Sequence, residues 1–284
     1  MKTVRTLAEL RRTLAPQRRH ASIGFVPTMG AWHSGHVALL RAARRRGCVV
    51  VASIFVNPAQ FNDPSDLAGY PRDEARDADM AVAEEVDVLF VPTVDEIYPA
   101  GFATWVDVYG EACGLESDLR PGHFRGVATV CLKLFHLVDP DIAFFGQKDA
   151  QQVAVIEQLV RDFNLPIEIA TVPTVRDVDG LARSSRNVRL SPGERRRALG
   201  IPRALAAGLA AHRAGEDPVA AARAALNGLK VDYVAVADFN GRRTLAIAAR
   251  VGAVRLIDNV RLDDLSTELF DAVACVAAHE TSHA

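Results

Sequence analysis

Short runs of β-branched and aromatic residues alternate with stretches of helical spacing as far as residue 172, and few folds accept that pattern. Residues 22–26, 49–56, 86–91, 142–145 and 167–172 read as strands, being short, apolar and rich in Val, Ile and Phe. Residues 37–46, 74–85, 124–138 and 149–163 repeat their apolar side chains three and four apart, the period of an amphipathic helix. Gly47, directly after Arg44, Arg45 and Arg46, reads as a helix stop. Strands joined one after another by helices run parallel, so this stretch predicts a doubly wound α/β domain with a parallel sheet.

Beyond about residue 174 the texture changes. Ser191-Pro192-Gly193-Glu194 combines an N-cap serine, proline at the first helical position and glutamate at the capping-box position, predicting one helix to His212. A second helix is expected over residues 218–229, with strands at 233–237 and 250–257. The expectation is a Rossmann-like domain over residues 1–174 and a smaller C-terminal α+β domain over 175–284 that packs over the first as a lid. A length of 284 residues suits two such units, and 49% hydrophobic against 24% charged residues suits packed cores.

A net charge of −2 gives no basic field of the kind nucleic acid attracts, and the arginine clusters at 44–46 and 195–197 read as solvated helix surface. The start of the chain has no apolar signal-peptide centre, and no run nears the ~18 apolar residues of a membrane span. Cys48, Cys113, Cys131 and Cys275 lack C-x-x-C spacing and lie beside apolar residues, which reads as buried free thiols. No nucleic acid, no membrane and a cytoplasmic location are therefore expected.

In doubly wound sheets, ligands sit at the carboxyl ends of the strands, where loops lead into helix N-termini. Pro27-Thr28-Met29-Gly30, Asn57-Pro58-Ala59-Gln60 and Gly146-Gln147-Lys148-Asp149 each follow a predicted strand, so their loops are expected to converge on one cleft. His33-Ser34-Gly35-His36 opens the first crossover helix, which puts both imidazoles on one side of its first turn. The free N–H groups and dipole of that turn favour phosphate, Gly35 removes an obstructing side chain, and His33 and His36 add donors. A histidine alone on an apolar helix is usually structural; the position after strand and turn is what makes this pair a candidate.

Lys148 suits a phosphate as a mobile point charge, and Gly146 allows close backbone approach just before it, although a plain helix cap by Asp149 with an exposed lysine has the same sequence. Ser184, Ser185 and Arg186 offer two hydroxyls and a guanidinium after the Asp179-Gly180 turn. Asp73, Glu74 and Asp77 suit either a metal or a helix N-terminus, and no metal ligand is assigned. His279-Glu280-Thr281-Ser282-His283 matches a zinc-protease spacing, but it lies at the very end of the sequence with no following segment for a third ligand.

The segments PTMGAWHSGHVALLRAAR, SIFVNPAQF with DLAGYPRD, LRPGHFRGVATVCLKLFHLVDPDIAFFGQKDAQQ, VPTVRDVDGLARSSRNVRLSPGER and ARVGAVRLIDNV resemble, in order and spacing, the pantothenate synthetase (pantoate–beta-alanine ligase) family. That family belongs to the H-x-G-H nucleotidylyl transferases. The resemblance spans residues 25–260 and implies that ATP and pantoate form pantoyl adenylate and pyrophosphate, after which beta-alanine attacks the acyl carbon to release pantothenate and AMP. It implies ATP as cosubstrate with Mg2+, a homodimer through the larger domain, and catalytic roles for His33, His36, Lys148, Ser184, Ser185 and Arg186. ATP is expected at Met29, Gly30, His36, Gly146, Lys148, Asp149, Val175, Ser184, Ser185 and Arg186, and pantoate at Met29, Asn57, Gln60, Phe61 and Gln152.

Tyr70 is a weaker candidate, and Arg120 and His123 are expected to orient neighbouring loops. The chain departs from the family pattern at Trp32, Ser117, Ala150 and Arg183. Two other readings stay open on the residues alone: an H-x-G-H nucleotidylyl transferase that keeps a nucleotide in its product, and a nonenzymatic ATP-binding relative.

Overall fold

The structure, a computed structural model, describes residues 1–264. Two compact units divide them, residues 1–147 with 151–173, and residues 148–150 with those from 174 onward.

The first unit runs β1 (Lys2–Val4), α1 (Leu7–Gln17), β2 (Ile23–Thr28), α2 (Ser34–Arg45), β3 (Val49–Ile54), α3 (Pro64–Ala68), α4 (Glu74–Ala83), β4 (Val88–Phe90), α5 (Val94–Ile97), α6 (Glu116–Leu119), α7 (His123–Val138), β5 (Ile142–Gly146), α8 (Ala150–Asp162) and β6 (Glu168–Val172). Its six strands form one sheet in the order β1-β4-β3-β2-β5-β6, and every pairing is parallel. Strand alternation divides the core between the two faces. Phe25, Val51 and Phe145 pack with Leu10 and Leu14 of α1, Val130 and Leu134 of α7 and Ile156 of α8. Their neighbours Val26, Val50, Ala52 and Phe144 turn to Leu39 and Leu40 of α2 and Ala81 of α4. The sheet is doubly wound, as the alternation predicts. The sequence pattern misses β1, whose three residues gain their conformation from β4, with Lys2 opposite Val88 at the sheet edge.

The second unit holds α9 (Pro192–Ala198), α10 (Gly200–Arg213), α11 (Pro218–Ala225), β7 (Lys230–Phe239), β8 (Arg242–Val251) and β9 (Val254–Arg261). The strands form an antiparallel sheet, β7-β8-β9, backed by Ile201, Leu205 and Leu209 of α10 against Leu245, Ile247 and Leu256. Three expectations need correction: the helix expected over 218–229 ends at Ala225, ahead of a turn in which Gly228 takes φ +76°. The single helix from Ser191 to His212 is two, because Pro202 has no N–H for the Ala198 carbonyl and the chain breaks at Leu199. The strand expected over 250–257 straddles a turn: β8 ends at Val251, Gly252 takes φ +59°, and β9 begins at Val254. Arginines at 242 and 243 and the alanines of β8 mask a ten-residue central strand.

Cys48 and Cys131 are buried free thiols, whereas Cys113 is exposed, against expectation. Cys275 and the His279–His283 spacing lie outside the described residues. Among the described residues no helix is long and apolar enough to cross a membrane.

Candidate functional site

β2 sits between β3 and β5, so the strand order reverses beside β2, and the loops leaving these neighbours share one edge of the sheet. The loop after β2 turns sharply, with Gly30 at φ +80° and Ala31 at φ 52°. A side chain at Gly30 would meet Asp77 Oδ2 at 2.9 Å, so the position requires glycine on two counts. Left-handed geometry at Ala31 is unusual for a residue with a Cβ and has to be held from outside. The holder is Asp77 of α4: its carboxylate oxygens accept from Ala31 N and Trp32 N, both at 2.7 Å. Thr28 completes the turn, its Oγ1 donating to Ser53 O at 2.6 Å and accepting from Gly30 N at 3.1 Å and Trp32 Nε1 at 2.8 Å.

Burial pushes the Asp77 carboxyl above its ordinary pKa despite those two amide bonds, since the side chain is 1% exposed. Asp73 is the N-cap of α4, accepting from Arg76 N, and Glu74 pairs with Arg5. All three acidic residues therefore have structural partners, and among the described residues no group of three or more His, Cys, Asp or Glu side chains is arranged to hold a metal ion. Asp77→Asn places an NH2 against one of two donor amides; it is expected to cost about 1–3 kcal/mol by loosening the turn at Ala31 and Trp32, read by urea melts.

Trp32 is buried, its ring centroid 6.4 Å from that of His36. Its indole closes the turn on Thr28, which accounts for a large ring where the family resemblance suggests leucine. His33 is the N-cap of α2 and its Nδ1 accepts from Gly35 N at 3.1 Å, while His36 Nδ1 accepts from His33 N at 3.2 Å. The imidazoles thus form a reciprocal capping box, with ring centroids 4.2 Å apart. An Nδ1 that accepts an N–H carries no proton in the neutral ring, so both rings are held as Nε2–H tautomers. The two histidines are brought together as the sequence predicts; the division of labour between their nitrogens is not legible there. Met29, between the β2 end and this turn, is half-buried.

The loop after β3 makes a 3-10 turn, Pro58–Gln60, capped by Asn57. Asn57 is 1% exposed and its amide is fully occupied. Its Oδ1 accepts from Ala59 N at 3.2 Å and Tyr98 Oη at 2.9 Å, and its Nδ2 donates to Gln60 Oε1 at 2.9 Å and Gly126 O at 3.1 Å. Gln60 is buried, with its Oε1 committed and its backbone oxygen 2.9 Å from His123 Nδ1. A carbonyl only accepts, so His123 carries its proton on Nδ1 and its Nε2 accepts from Arg120 Nη1 at 3.1 Å. Arg120 and His123 therefore support the Gln60 turn, as expected of them. Phe61 meets Tyr70 edge-on at 5.6 Å.

Of two consecutive glutamines on α8, Gln151 is buried and ties down the segment before α6: its Nε2 donates to the carbonyls of Glu111, Cys113 and Gly114, and its Oε1 accepts from Glu116 N. Gln152, the expected pantoate residue, has no side-chain hydrogen bond among the described residues. Sequence reasoning missed Tyr98, Gln151 and Gly126, none of which carries a local motif.

In the second unit, Lys148 Nζ lies 3.8 Å from Asp149 Oδ1, and the Lys148 carbonyl accepts from Asn259 Nδ2 at 2.8 Å. Gly146, at the end of β5 in the first unit, would admit a Cβ into open space, so its lack of a side chain leaves room. Arg183 N donates to Val175 O at 2.9 Å, and a bridge joins Arg176 to Ala182, forming a small hairpin before Ser184. Ser184 caps the following 3-10 helix, Ser185–Arg189, by accepting from Arg186 N at 3.3 Å. The Arg183 guanidinium pairs with Asp177, which with Asp179 also holds Arg195 at 2.7 and 2.6 Å. Arg183 is thereby spent on its own hairpin.

The model of the family described as pantoate-beta-alanine ligase matches residues 2–261. A pantothenate synthetase from Moorella thermoacetica is 50% identical, with 93% of this chain and 99% of that protein aligned. The crystal structure of pantothenate synthetase from Thermus thermophilus superimposes with a TM-score of 0.87 at 44% identity, covering 92% of this chain and 99% of that one. A pantoate-beta-alanine ligase from Francisella tularensis, complexed with beta-gamma ATP and beta-alanine, gives a TM-score of 0.80 at 34% identity over 93% and 98% of the two chains.

Proposed function

The chain belongs to the pantoate–beta-alanine ligase family, and on that premise we propose how its own residues carry out the ATP-dependent condensation of pantoate with beta-alanine. The enzyme is a ligase that forms an amide bond. In the first step the pantoate carboxylate attacks the α-phosphorus of ATP and pyrophosphate leaves; in the second the amine of beta-alanine attacks the acyl carbon and AMP leaves.

The observation that carries the assignment of the histidines is their reciprocal cap, because it fixes two Nε2–H donors at the start of α2. We assign these donors to the phosphate oxygens, where they follow charge onto the departing pyrophosphate. Met29, Gly30 and the positive end of the α2 dipole complete that side of the nucleotide site, the Gly35 and His36 N–H groups being taken by the His33 cap. Gly146, Lys148, Asp149, Val175, Ser184, Ser185 and Arg186 are assigned to ATP as well: the ammonium, hydroxyls and guanidinium to its phosphates, Asp149 to a ribose hydroxyl, and Gly146 and Val175 to the backbone lining.

Pantoate is assigned to Gln60 and Gln152, whose neutral amides orient its oxygens without pairing the nucleophile to a cation. Met29 and Phe61 give apolar surface for its gem-dimethyl group. Asn57 serves this site by holding Gln60, since its own amide is filled. Magnesium enters as part of the Mg·ATP substrate, in keeping with an ion that retains waters and phosphate oxygens. The paired state of Asp73, Glu74 and Asp77 supports that reading over a protein cage. Buried reduced thiols at Cys48 and Cys131 support a cytoplasmic setting. A homodimer formed through the larger unit rests on the family resemblance, and sedimentation reads it directly.

The test is AMP release by purified protein with Mg·ATP and pantoate, with and without beta-alanine, while mass spectrometry follows pantothenate. AMP and pantothenate rising together only in the complete mixture is the expected result. A nucleotide retained in the product, or ATP binding without turnover, overturns it.

A further inference from the structure

Gln60 is the end of a hydrogen-bonded chain that begins at Tyr98, and the chain decides which face of the Gln60 amide is offered outward. Two backbone groups settle the orientation of Asn57: Ala59 N can only donate, so it faces Oδ1, and Gly126 O can only accept, so it faces Nδ2. The remaining Nδ2 hydrogen goes to Gln60 Oε1, and the remaining Oδ1 lone pair takes the Tyr98 hydroxyl hydrogen. That bond takes one of the two Oε1 lone pairs and fixes which end of the Gln60 amide is oxygen, leaving the Nε2 hydrogens, for which no partner occurs among the described residues. The Tyr98 ring is held by Phe55, Phe102 and Trp105 at centroid distances of 6.2, 5.0 and 6.0 Å, which aims its hydroxyl. Each donation in such a chain polarises the next amide and strengthens the last donor.

We propose that Tyr98 is a positioning and specificity-determining residue, which acts through Asn57 to fix the orientation of the Gln60 amide so that its Nε2 hydrogens meet an acceptor oxygen of the acid substrate. The inference rests on the assignment of pantoate to Gln60. Tyr98 touches no substrate in this reading. Its removal leaves one buried Asn57 lone pair unmet and loosens the Gln60 amide, whereas nucleotide binding does not depend on it.

The experiment is a double-mutant cycle of Tyr98→Phe and Gln60→Ala in the full chain, read as KM for pantoate, KM for ATP and kcat. Phenylalanine keeps the ring and its aromatic contacts, and a thermal melt checks the fold of each variant. Expected for Tyr98→Phe is a rise in pantoate KM of about three- to tenfold, the size of one lost buried hydrogen bond, with ATP KM within about twofold. In the Gln60→Ala background the same substitution is expected to change pantoate KM no further. An equal effect in both backgrounds, or an unchanged pantoate KM in Tyr98→Phe while Gln60→Ala raises it, overturns the role of Tyr98 and leaves the Gln60 assignment standing. An unchanged pantoate KM in Gln60→Ala overturns both.

Discussion

His36→Ala is expected to lower the rate of AMP formation by roughly 10²–10³-fold, the usual cost of removing one donor aimed at developing charge. The substitution removes two functions at once, because Nδ1 of His36 accepts from His33 N while the opposite nitrogen carries the donor proton. His36→Asn separates them. The asparagine oxygen takes the place of Nδ1 and keeps the cap, but nothing reaches the position of Nε2. Both variants are therefore expected to lose rate alike, and only alanine to lose the cap, worth about 1 kcal/mol or some 2–4 °C in melting temperature. Single-turnover AMP formation beside thermal melts reads the two effects apart. Full activity in the asparagine variant would show that Nε2 is not the working atom.

Gly126→Ala is expected to be destabilising even though alanine is the better helix former. In the interior of α7 the exchange should gain about 0.5–1 kcal/mol from propensity. A Cβ at that position would lie 2.6 Å from Gln60 N and 2.5 Å from the Ala59 carbonyl carbon, contacts that rigid backbone cannot accept. Forcing the turn away costs about 1–3 kcal/mol or more, so the clash outweighs the helix gain. The segment that must shift carries Gln60 and bonds Asn57 to the Gly126 carbonyl, so pantoate KM should rise by about tenfold or more while ATP KM stays within a few-fold. Urea melts and steady-state kinetics check both halves. A variant more stable than the parent with unchanged pantoate KM contradicts the argument.

The parallel sheet and its helices are legible in sequence because β2 to β5 are apolar on both faces and each is followed by a helix period. The histidine pair and the Ser184 to Arg186 loop are legible because motif and turn signals are local. β1 and β8 are hidden for opposite reasons: three residues carry too little pattern, and a strand of alanines with arginines at its start carries the wrong one. The Asp77 brace and the Tyr98 chain are long-range, joining α4 to the loop after β2 and the residue following α5 to the turn after β3. No spacing rule connects them, so only coordinates reveal that Asp77 is committed to two amides and that Asn57 has no atom left for a ligand.

The reciprocal cap between His33 and His36 also has an entropic meaning. Each ring is fixed by a backbone hydrogen bond when α2 forms, so the rotamer freedom of both side chains is surrendered during folding, at about 0.5–1 kcal/mol apiece. A nucleotide arriving later meets donors that need no further ordering, and more of its contact energy remains for the transition state. The same arrangement makes helix start and reactive groups one object: whatever unwinds the first turn of α2 disarms the enzyme before it unfolds it.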